Sequence, residues 1–233
     1  MKSSPKSLSR GERFLSLSRI KLLFEDDELI VVEKPSGLLT VATARERSRT
    51  LYAALFDYVK SKRPPEKIFI VHRLDRDASG LLVFAKTEPA KHHLQQQFKI
   101  HSAARKYVAL VEGRLRKDQE TIQSFLAENT AHRVYSVEDS RKGKLAVTHL
   151  KVLKRSSQVT LIEVRLESGR KHQIRVHLAE HGHPILGDKT YGSHMNPIRR
   201  LALHACNLSL KHPRSGQPLQ FESPCPSLFL AQV

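Results

Sequence analysis

Apolar positions recur along the chain in two patterns, and together they predict a fold in which strands and helices are mixed. Runs of β-branched or apolar residues predict strands, and the apolar runs at 68–71 and 81–85 are typical of strands buried on both faces. Strands are therefore predicted at residues 29–32, 68–71, 81–85, 106–111, 145–153 and 159–166. Side chains alternate in the last segment, which indicates one buried face.

Three further segments carry helical signals. Thr50 and Thr87 each precede apolar side chains that recur every three to four residues, so each threonine is predicted to cap a helix. Residues 170–181 are predicted to form a short helix that ends at Gly182. Because strands and helices do not alternate strictly, we predict a mixed α/β (α+β) fold with a mixed, largely antiparallel central sheet and flanking helices.

The charge balance is strongly basic. The 233 residues include 40 Lys and Arg against 23 Asp and Glu, a formal net charge of +17. A surplus of this size favours a polyanionic partner such as nucleic acid. No apolar run is long enough for a membrane-spanning helix, so we expect a soluble protein without a membrane partner. Cys206 and Cys225 form no CxxC pair, which fits a reducing cytoplasm better than a disulfide framework or a zinc site.

The first 18 residues differ from the rest of the chain. Residues 1–18 are rich in Ser and basic side chains and lack the apolar centre of a secretory signal. We interpret them as a flexible basic N-terminal arm, with an organelle transit peptide as the alternative. Residues 19–233 are predicted to form a single domain.

The segment with the strongest chemical signal is the polar loop at 72–80, which lies between two apolar strands. Such a loop presents charged side chains at the edge of a rigid scaffold. Asp75 is close in sequence to three basic residues, His72, Arg73 and Arg76. If these cations are also close in space, they keep the carboxylate ionised, as a nucleophile requires. The alternative is a solvated turn with capping side chains.

The loop also carries a family resemblance. HRLDRDASGLLVFAKT (72–87) resembles the catalytic motif of the RluA-type RNA pseudouridine synthases, which modify ribosomal or transfer RNA. Four other blocks resemble the same family in the same order: residues 24–41, 106–113, 168–192 and 201–205. One departure is Ala78, where the family usually has Thr; the position looks structural. The resemblance implies the pseudouridine synthase catalytic fold over residues 19–233.

Carried over residue by residue, the resemblance implies three catalytic side chains. Asp75 is the nucleophilic carboxylate, Tyr107 the aromatic residue of KxYxA, and Arg175 the arginine of HQIR. A carboxylate can hold one fragment covalently while the uracil turns, much as retaining glycosidases use one. An aromatic face suits stacking of the base, and a guanidinium fork suits pairing with the carboxylate. Without the resemblance, Tyr107 could be a core aromatic and Arg175 a phosphate-binding residue.

The implied partner is structured RNA, ribosomal or transfer, whose target uridine lies in a loop or is flipped out of a helix. RNA contacts are predicted for His72, Arg73, Arg76, Lys106, Arg170, Lys171 and His172. The spacing of His177 and His181 permits a metal interpretation, but no cysteine completes a site, so neither metal nor cofactor is expected. We expect a cytoplasmic monomer. With no room before residue 20 for a separate RNA-binding domain, target choice is expected to rest on the catalytic domain.

The sequence leaves open two other classes of function. The first is a catalytically inactive RNA-binding or ribosome-assembly factor on the same fold. The second is an RNA N-glycosidase or nuclease that uses Asp75 as its nucleophile; it would release a base or cut the strand, whereas isomerisation leaves the mass of the RNA unchanged.

Overall fold

A computed structural model describes residues 13–14, 20–44, 46–62 and 67–233. Apart from Arg13 and Phe14, which form a short strand, the predicted arm at 1–18 lies outside the described residues. The chain divides into two compact units, Met1–Ala103 with Asn207–Ser223, and Ala104–Cys206 with Pro224–Val233. This division lies within the span 19–233 that the sequence predicts as one domain.

Strands predominate over helices in the described residues. The strands are β1 (Arg13–Phe14), β2 (Lys21–Glu25), β3 (Leu29–Lys34), β4 (Phe69–Ile70), β5 (Ser79–Ala85), β6 (Ala104–Glu112), β7 (Gln119–Glu128), β8 (Val134–Val137), β9 (Lys144–Arg155), β10 (Val159–Leu166), β11 (Leu203–Lys211) and β12 (Pro218–Glu222). The helices are α1 (Leu51–Lys62), α2 (Glu88–Lys99), α3 (Gln173–Glu180) and α4 (Ser227–Leu230), with a 3₁₀ turn at Lys189–Tyr191. The predicted mixed α/β fold is confirmed.

In the first unit, antiparallel pairing joins β1 to β2, β2 to β3, and β3 to β5. The short β4 also pairs with β5, and β12 pairs with residues 207–211 of β11. Every residue of β5 is buried, which agrees with the burial that its apolar run at 81–85 predicts. The same prediction is wrong for 68–71, because only Phe69 and Ile70 form a strand and both are half-buried.

Both helices of the first unit begin where the sequence predicts. The Thr50 hydroxyl accepts a hydrogen bond from Ala53 N at 3.1 Å, and the Thr87 hydroxyl accepts one from Ala90 N at 3.2 Å. Each bond satisfies an amide that would otherwise lack a partner in the first helical turn. Leu94 of α2 packs into a core with alternate residues of β3 and β5, so this helix covers one face of the strands.

In the second unit the strand order is β6–β10–β9–β7–β8, and the pairings along it are antiparallel. The helix α3 contacts β7, β8 and β9, and its Val176 packs with Leu126, Val134 and Ala146. The helix ends close to the predicted Gly182, whose φ of +78° suits glycine. None of the helices in the described ranges is long and apolar enough to cross a membrane.

Candidate active site

Asp75 lies in the first unit, in the loop that joins β4 to β5. We call residues 71–78 the Asp75 loop. Leu74 and Ala78 are buried, Asp75 is half-buried, and Arg73 and Arg76 are exposed. Buried apolar side chains therefore fix the loop on either side of Asp75, while its two arginines face solvent.

Lys34, the last residue of β3, ties the Asp75 loop to the segment at 35–40. Its side chain is fully buried, at 0% exposure. The ammonium donates hydrogen bonds to the carbonyl oxygens of Pro35 at 2.9 Å, Leu38 at 2.7 Å and Arg76 at 2.9 Å. A buried charge is tolerated only when polar groups replace its lost hydration. These three carbonyls supply that replacement, and one of them belongs to the residue after Asp75.

Further hydrogen bonds join the segment at 35–40 to the Asp75 loop. They run from Gly37 N to Arg76 O at 2.9 Å, from Ser36 Oγ to Asp77 O at 2.6 Å, from Thr40 Oγ1 to Leu74 O at 2.8 Å, and from Leu74 N to Thr40 Oγ1 at 3.2 Å. The backbone is therefore held both before and after Asp75. Such over-determination keeps a loop side chain in place.

The predicted RNA-binding residues of the first unit differ in their surroundings. His72 is half-buried, its Nε2 accepts a hydrogen bond from Val83 N at 3.3 Å, and its ring centroid lies 4.6 Å from that of Phe98. These contacts give His72 a role in fixing the loop. Arg73 and Arg76 are exposed, and Arg76 donates from Nε to Gly37 O at 3.3 Å; their contacts with RNA remain predictions.

Tyr107 and Lys106 lie in the second unit, on β6. Tyr107 is buried, at 5% exposure, and its Cα is opposite that of Val164 on β10. Lys106 is half-buried, with its ammonium 3.4 Å from a carboxylate oxygen of Glu163. The strand predicted at 106–111 is thus confirmed, and it places the two side chains on opposite faces because neighbouring strand residues alternate.

Arg175 projects from α3 and is buried, at 8% exposure. Its Nε donates to Asp188 Oδ2 at 2.7 Å and its Nη2 donates to Asp188 Oδ1 at 2.8 Å. Its guanidinium carbon also lies 5.0 Å from the centroid of the Tyr191 ring. A bidentate, charge-assisted pair of this kind fixes both the position and the plane of the guanidinium.

Asp188 and Tyr191 are residues that the sequence reasoning missed. Both lie in the stretch GDKTYG, and Asp188 also caps the 3₁₀ turn by accepting from Tyr191 N at 3.3 Å. Asp188 is 2% exposed, which is unusual for an aspartate without a cationic partner. In the sequence, Asp188 is recognisable only as an acidic residue in a turn. Turns rich in Gly and Asp are common, so the sequence does not identify Arg175 as the partner of Asp188.

The remaining predicted RNA-binding residues precede α3. His172 has a left-handed backbone, with φ of 54°, and its Nδ1 is 2.9 Å from the hydroxyl of Tyr191. Lys171 donates to Glu128 Oε1 at 2.6 Å, and Arg170 donates from Nε to Leu145 O at 3.1 Å. All three side chains thus have contacts within the second unit, and their predicted contacts with RNA remain predictions.

His177 occupies the centre of a buried polar group. It is 1% exposed; its Nδ1 lies 2.9 Å from Thr148 Oγ1 and its Nε2 lies 3.1 Å from Ser124 Oγ. Burial lowers the pKa of His177 to about 4, so the ring is neutral at neutral pH. Among the residues that the structure describes, no group of three or more His, Cys, Asp or Glu side chains could hold a metal ion.

Comparison with known proteins identifies the family. The profile of a family described as RNA pseudouridylate synthase matches residues 28–180, a span that includes Asp75, Tyr107 and Arg175. The chain belongs to the RNA pseudouridylate synthase family. The resemblance seen in the sequence is therefore confirmed.

Two relatives of this synthase-family chain show how similar it is to known proteins. It is 42% identical over 216 residues to ribosomal large subunit pseudouridine synthase D of Nitrosomonas europaea. The matched region covers 89% of this chain and 62% of that protein. It is 37% identical over 210 residues to the uncharacterized RNA pseudouridine synthase YhcT of Bacillus subtilis, with 89% and 69% covered. The chain thus spans between three fifths and seven tenths of the length of these relatives.

A solved structure shares the synthase fold. Human RNA pseudouridylate synthase domain containing 4 superimposes with a TM-score of 0.74 at 24% identity, over 90% of each chain. Within this family fold, Asp75 belongs to the first unit, whereas Tyr107 and Arg175 belong to the second. The second unit brings Arg175 together with Asp188 and Tyr191.

Proposed function

We propose that this protein isomerises specific uridines to pseudouridine in structured RNA, with Asp75 as the nucleophile. The observation that supports this most is the family match over residues 28–180, which contains Asp75 within the sequence HRLD. The anchored loop is consistent with this role, because a nucleophile must be held close to its productive position.

The reaction conserves atoms. The bond from C1′ of the ribose to N1 of uracil breaks, the base rotates, and a bond from C1′ to C5 forms while the proton leaves C5 and N1 gains one. The Asp75 carboxylate forms a covalent bond to the ribose or to the base in between, and that bond breaks when the product forms. No electron donor or cofactor is needed for this balance.

Tyr107 and Arg175 have separate proposed roles. The aromatic ring of Tyr107 offers a face on which uracil stacks, and its hydroxyl is a candidate to take the proton from C5. Arg175 stabilises negative charge at the reacting centre. The bidentate pair with Asp188 fixes the plane in which the guanidinium of Arg175 acts.

The proposed partner is RNA whose target uridine is flipped out of its helix. The net charge of +17 supports binding to the phosphate backbone. Ribosomal RNA is favoured over transfer RNA, because the relative from Nitrosomonas europaea is named for the ribosomal large subunit. We further propose that the protein acts in the cytoplasm as a monomer and needs no metal.

The test is a pseudouridine map of ribosomal and transfer RNA, obtained by chemical derivatisation and mass spectrometry, from cells that lack the protein. The cells are complemented with the native chain, with Asp75→Asn, or with Asp77→Asn, a matched control two residues further along the same loop. We expect one or a few pseudouridines to disappear, and to return with the native chain and the control only. An unchanged map, or restoration by Asp75→Asn, would refute the catalytic proposal and favour an RNA-binding factor.

A further inference from the structure

Thr40 holds the backbone next to Asp75 through a single hydroxyl group. Its side chain is buried, at 3% exposure. The hydroxyl donates to Leu74 O at 2.8 Å and accepts from Leu74 N at 3.2 Å. Both polar backbone groups of the residue before Asp75 are therefore bonded to this one oxygen atom.

This arrangement replaces a strand ladder with a side chain. Residues 71–75 lie between β4 and β5 and belong to neither strand, so regular pairing does not fix the amide and carbonyl of Leu74. The carbonyl of Leu74 forms one peptide plane with the amide of Asp75, and that plane is rigid. Fixing Leu74 O therefore fixes the direction in which the chain enters Asp75.

Thr40 is itself held by a helix. Its carbonyl oxygen accepts a hydrogen bond from Tyr52 N, in the first turn of α1, at 3.1 Å. The neighbouring Leu39 forms an isolated bridge with Thr50, the residue that caps the same helix. A continuous set of contacts thus runs from α1 through Thr40 to Leu74, and a rigid element supports the loop.

We propose that Thr40 is a positioning residue that sets the orientation of Asp75, a proposal that rests on the proposed function of Asp75 as the nucleophile. Thr40 acts through Leu74 and takes no part in bond making. Its loss allows the Asp75 carboxylate to move away from its productive position. A misplacement of about 1 Å in an active site lowers turnover by roughly 100-fold.

The second unit offers a matched control for a purely structural role. Thr160 is also fully buried, at 0% exposure, and its hydroxyl also donates to a carbonyl and accepts from an amide. The partners are Gly113 O at 2.9 Å and Leu115 N at 3.1 Å. Neither residue is among the predicted site residues. Thr40→Val and Thr160→Val therefore each remove one hydrogen bond to a carbonyl oxygen and one from an amide. Only Thr40→Val removes such bonds beside Asp75.

The experiment measures kcat and KM for pseudouridine formation in RNA isolated from cells that lack the protein, together with the melting temperature of each variant. We expect Thr40→Val to lower kcat by about 10- to 100-fold with a change in KM below about threefold. Thr40→Ser, which keeps the hydroxyl, should restore kcat to within a few-fold of the native value. Thr160→Val should lower the melting temperature similarly while kcat stays near the native value.

Two results would overturn the proposal. The first is a kcat for Thr40→Val equal to that for Thr160→Val, which would leave Thr40 a structural residue only. If Thr40→Val does not fold, the decision passes to Thr40→Ala, which also removes the hydroxyl, and a native kcat in that variant is equally contrary. The second result is a native chain that forms no pseudouridine, which refutes the proposed function itself and is separately visible.

Discussion

Replacing Asp188 by Asn should destabilise the protein strongly, because it breaks a buried ion pair from one side. The Asp188 side chain is 1% exposed and that of Arg175 is 9% exposed, so little water can reach either charge. Asparagine keeps the shape of the residue, but its amide group then faces a guanidinium donor. The arginine loses the counter-charge that Asp188 provides. Loss of one partner from a buried pair costs about 3–5 kcal/mol.

The assay is thermal unfolding of the purified protein. For a chain of this length each kcal/mol shifts the melting temperature by about 2–4 °C, so we expect a decrease of roughly 6–20 °C. The control is Asp139→Asn, because Asp139 also binds an arginine bidentately, with Arg141 Nε at 3.0 Å and Nη2 at 3.1 Å. That arginine side chain is 88% exposed, so solvent screens the pair and no measurable change is expected.

A double variant distinguishes the loss of the Arg175–Asp188 pair itself from the cost of keeping a buried guanidinium without the Asp188 carboxylate. Asp188→Asn combined with Arg175→Met removes both charges of this pair, and it should be more stable than Asp188→Asn alone because the buried guanidinium that lost the Asp188 carboxylate is removed as well. The reasoning is refuted if Asp188→Asn lowers the free energy of unfolding by less than about 1 kcal/mol. It is also refuted if the double variant is less stable than that single variant.

Three other predictions concern pH, a turn glycine and salt. Since burial lowers the pKa of His177 from 6.5 to about 4, its contribution to stability is complete above about pH 6.5 and is lost as the pH falls toward 4. His177→Gln should flatten this slope in urea unfolding at stepped pH, and an unchanged slope would contradict the assignment. Gly187 has φ of +79°, and an added Cβ would lie 2.2 Å from Arg200 O. Gly187→Ala should therefore lower the free energy of unfolding by roughly 3 kcal/mol or more, against about 1–2 kcal/mol for Gly192→Ala. Gly192 also has a positive φ, but an added Cβ meets no atom within 4 Å, so equal losses in chemical denaturation would exclude the steric explanation. Finally, RNA affinity in filter binding should fall about 10³- to 10⁵-fold between roughly 50 and 200 mM salt, and a flat response would argue against binding through phosphates.

Local chemistry made the helix starts and the buried strands predictable. Thr50 and Thr87 cap their helices because a hydroxyl next to a helical apolar pattern satisfies an amide of the first turn, and both partners are close in sequence. The uninterrupted apolar run of β5 requires burial on both faces, and the structure shows it. In each case the information lies within a few residues.

Elements defined by distant partners were not predictable in the same way. β7 (Gln119–Glu128) has only Ile122 and Leu126 buried, so its sequence carries no strong apolar signal. It is a strand because Gln119 to Leu126 pair with β9, at positions 18 to 32 residues further along. Cross-strand pairing of this kind depends on the tertiary fold more than on intrinsic propensity.

The predicted site residues show the same limit. The sequence predicts Asp75 in a loop, Tyr107 on a strand and Arg175 on a helix, and the secondary structure agrees. The groups that hold them were not predictable, because a buried carboxylate such as Asp188 and a hydroxyl such as Thr40 resemble ordinary turn residues in sequence. Only the folded chain shows which donors and acceptors meet them.

The proposed contacts with RNA phosphates are exposed to solvent, whereas the contacts that position Asp75 and Arg175 are mostly buried. The salt dependence of KM and of kcat should therefore differ. Contacts between exposed arginines such as Arg73 and RNA phosphates are screened by ions, so KM should rise steeply with salt. The side chains of Thr40 and Lys34, which hold the Asp75 loop, and the Arg175–Asp188 pair are buried, and buried interactions are screened much less. Turnover at saturating RNA should therefore stay nearly constant over the same salt range. If kcat instead falls in parallel with affinity, ions reach the groups that position the active site. The buried contacts of Thr40, Lys34 and Asp188 would then not be what holds Asp75 and Arg175 in place.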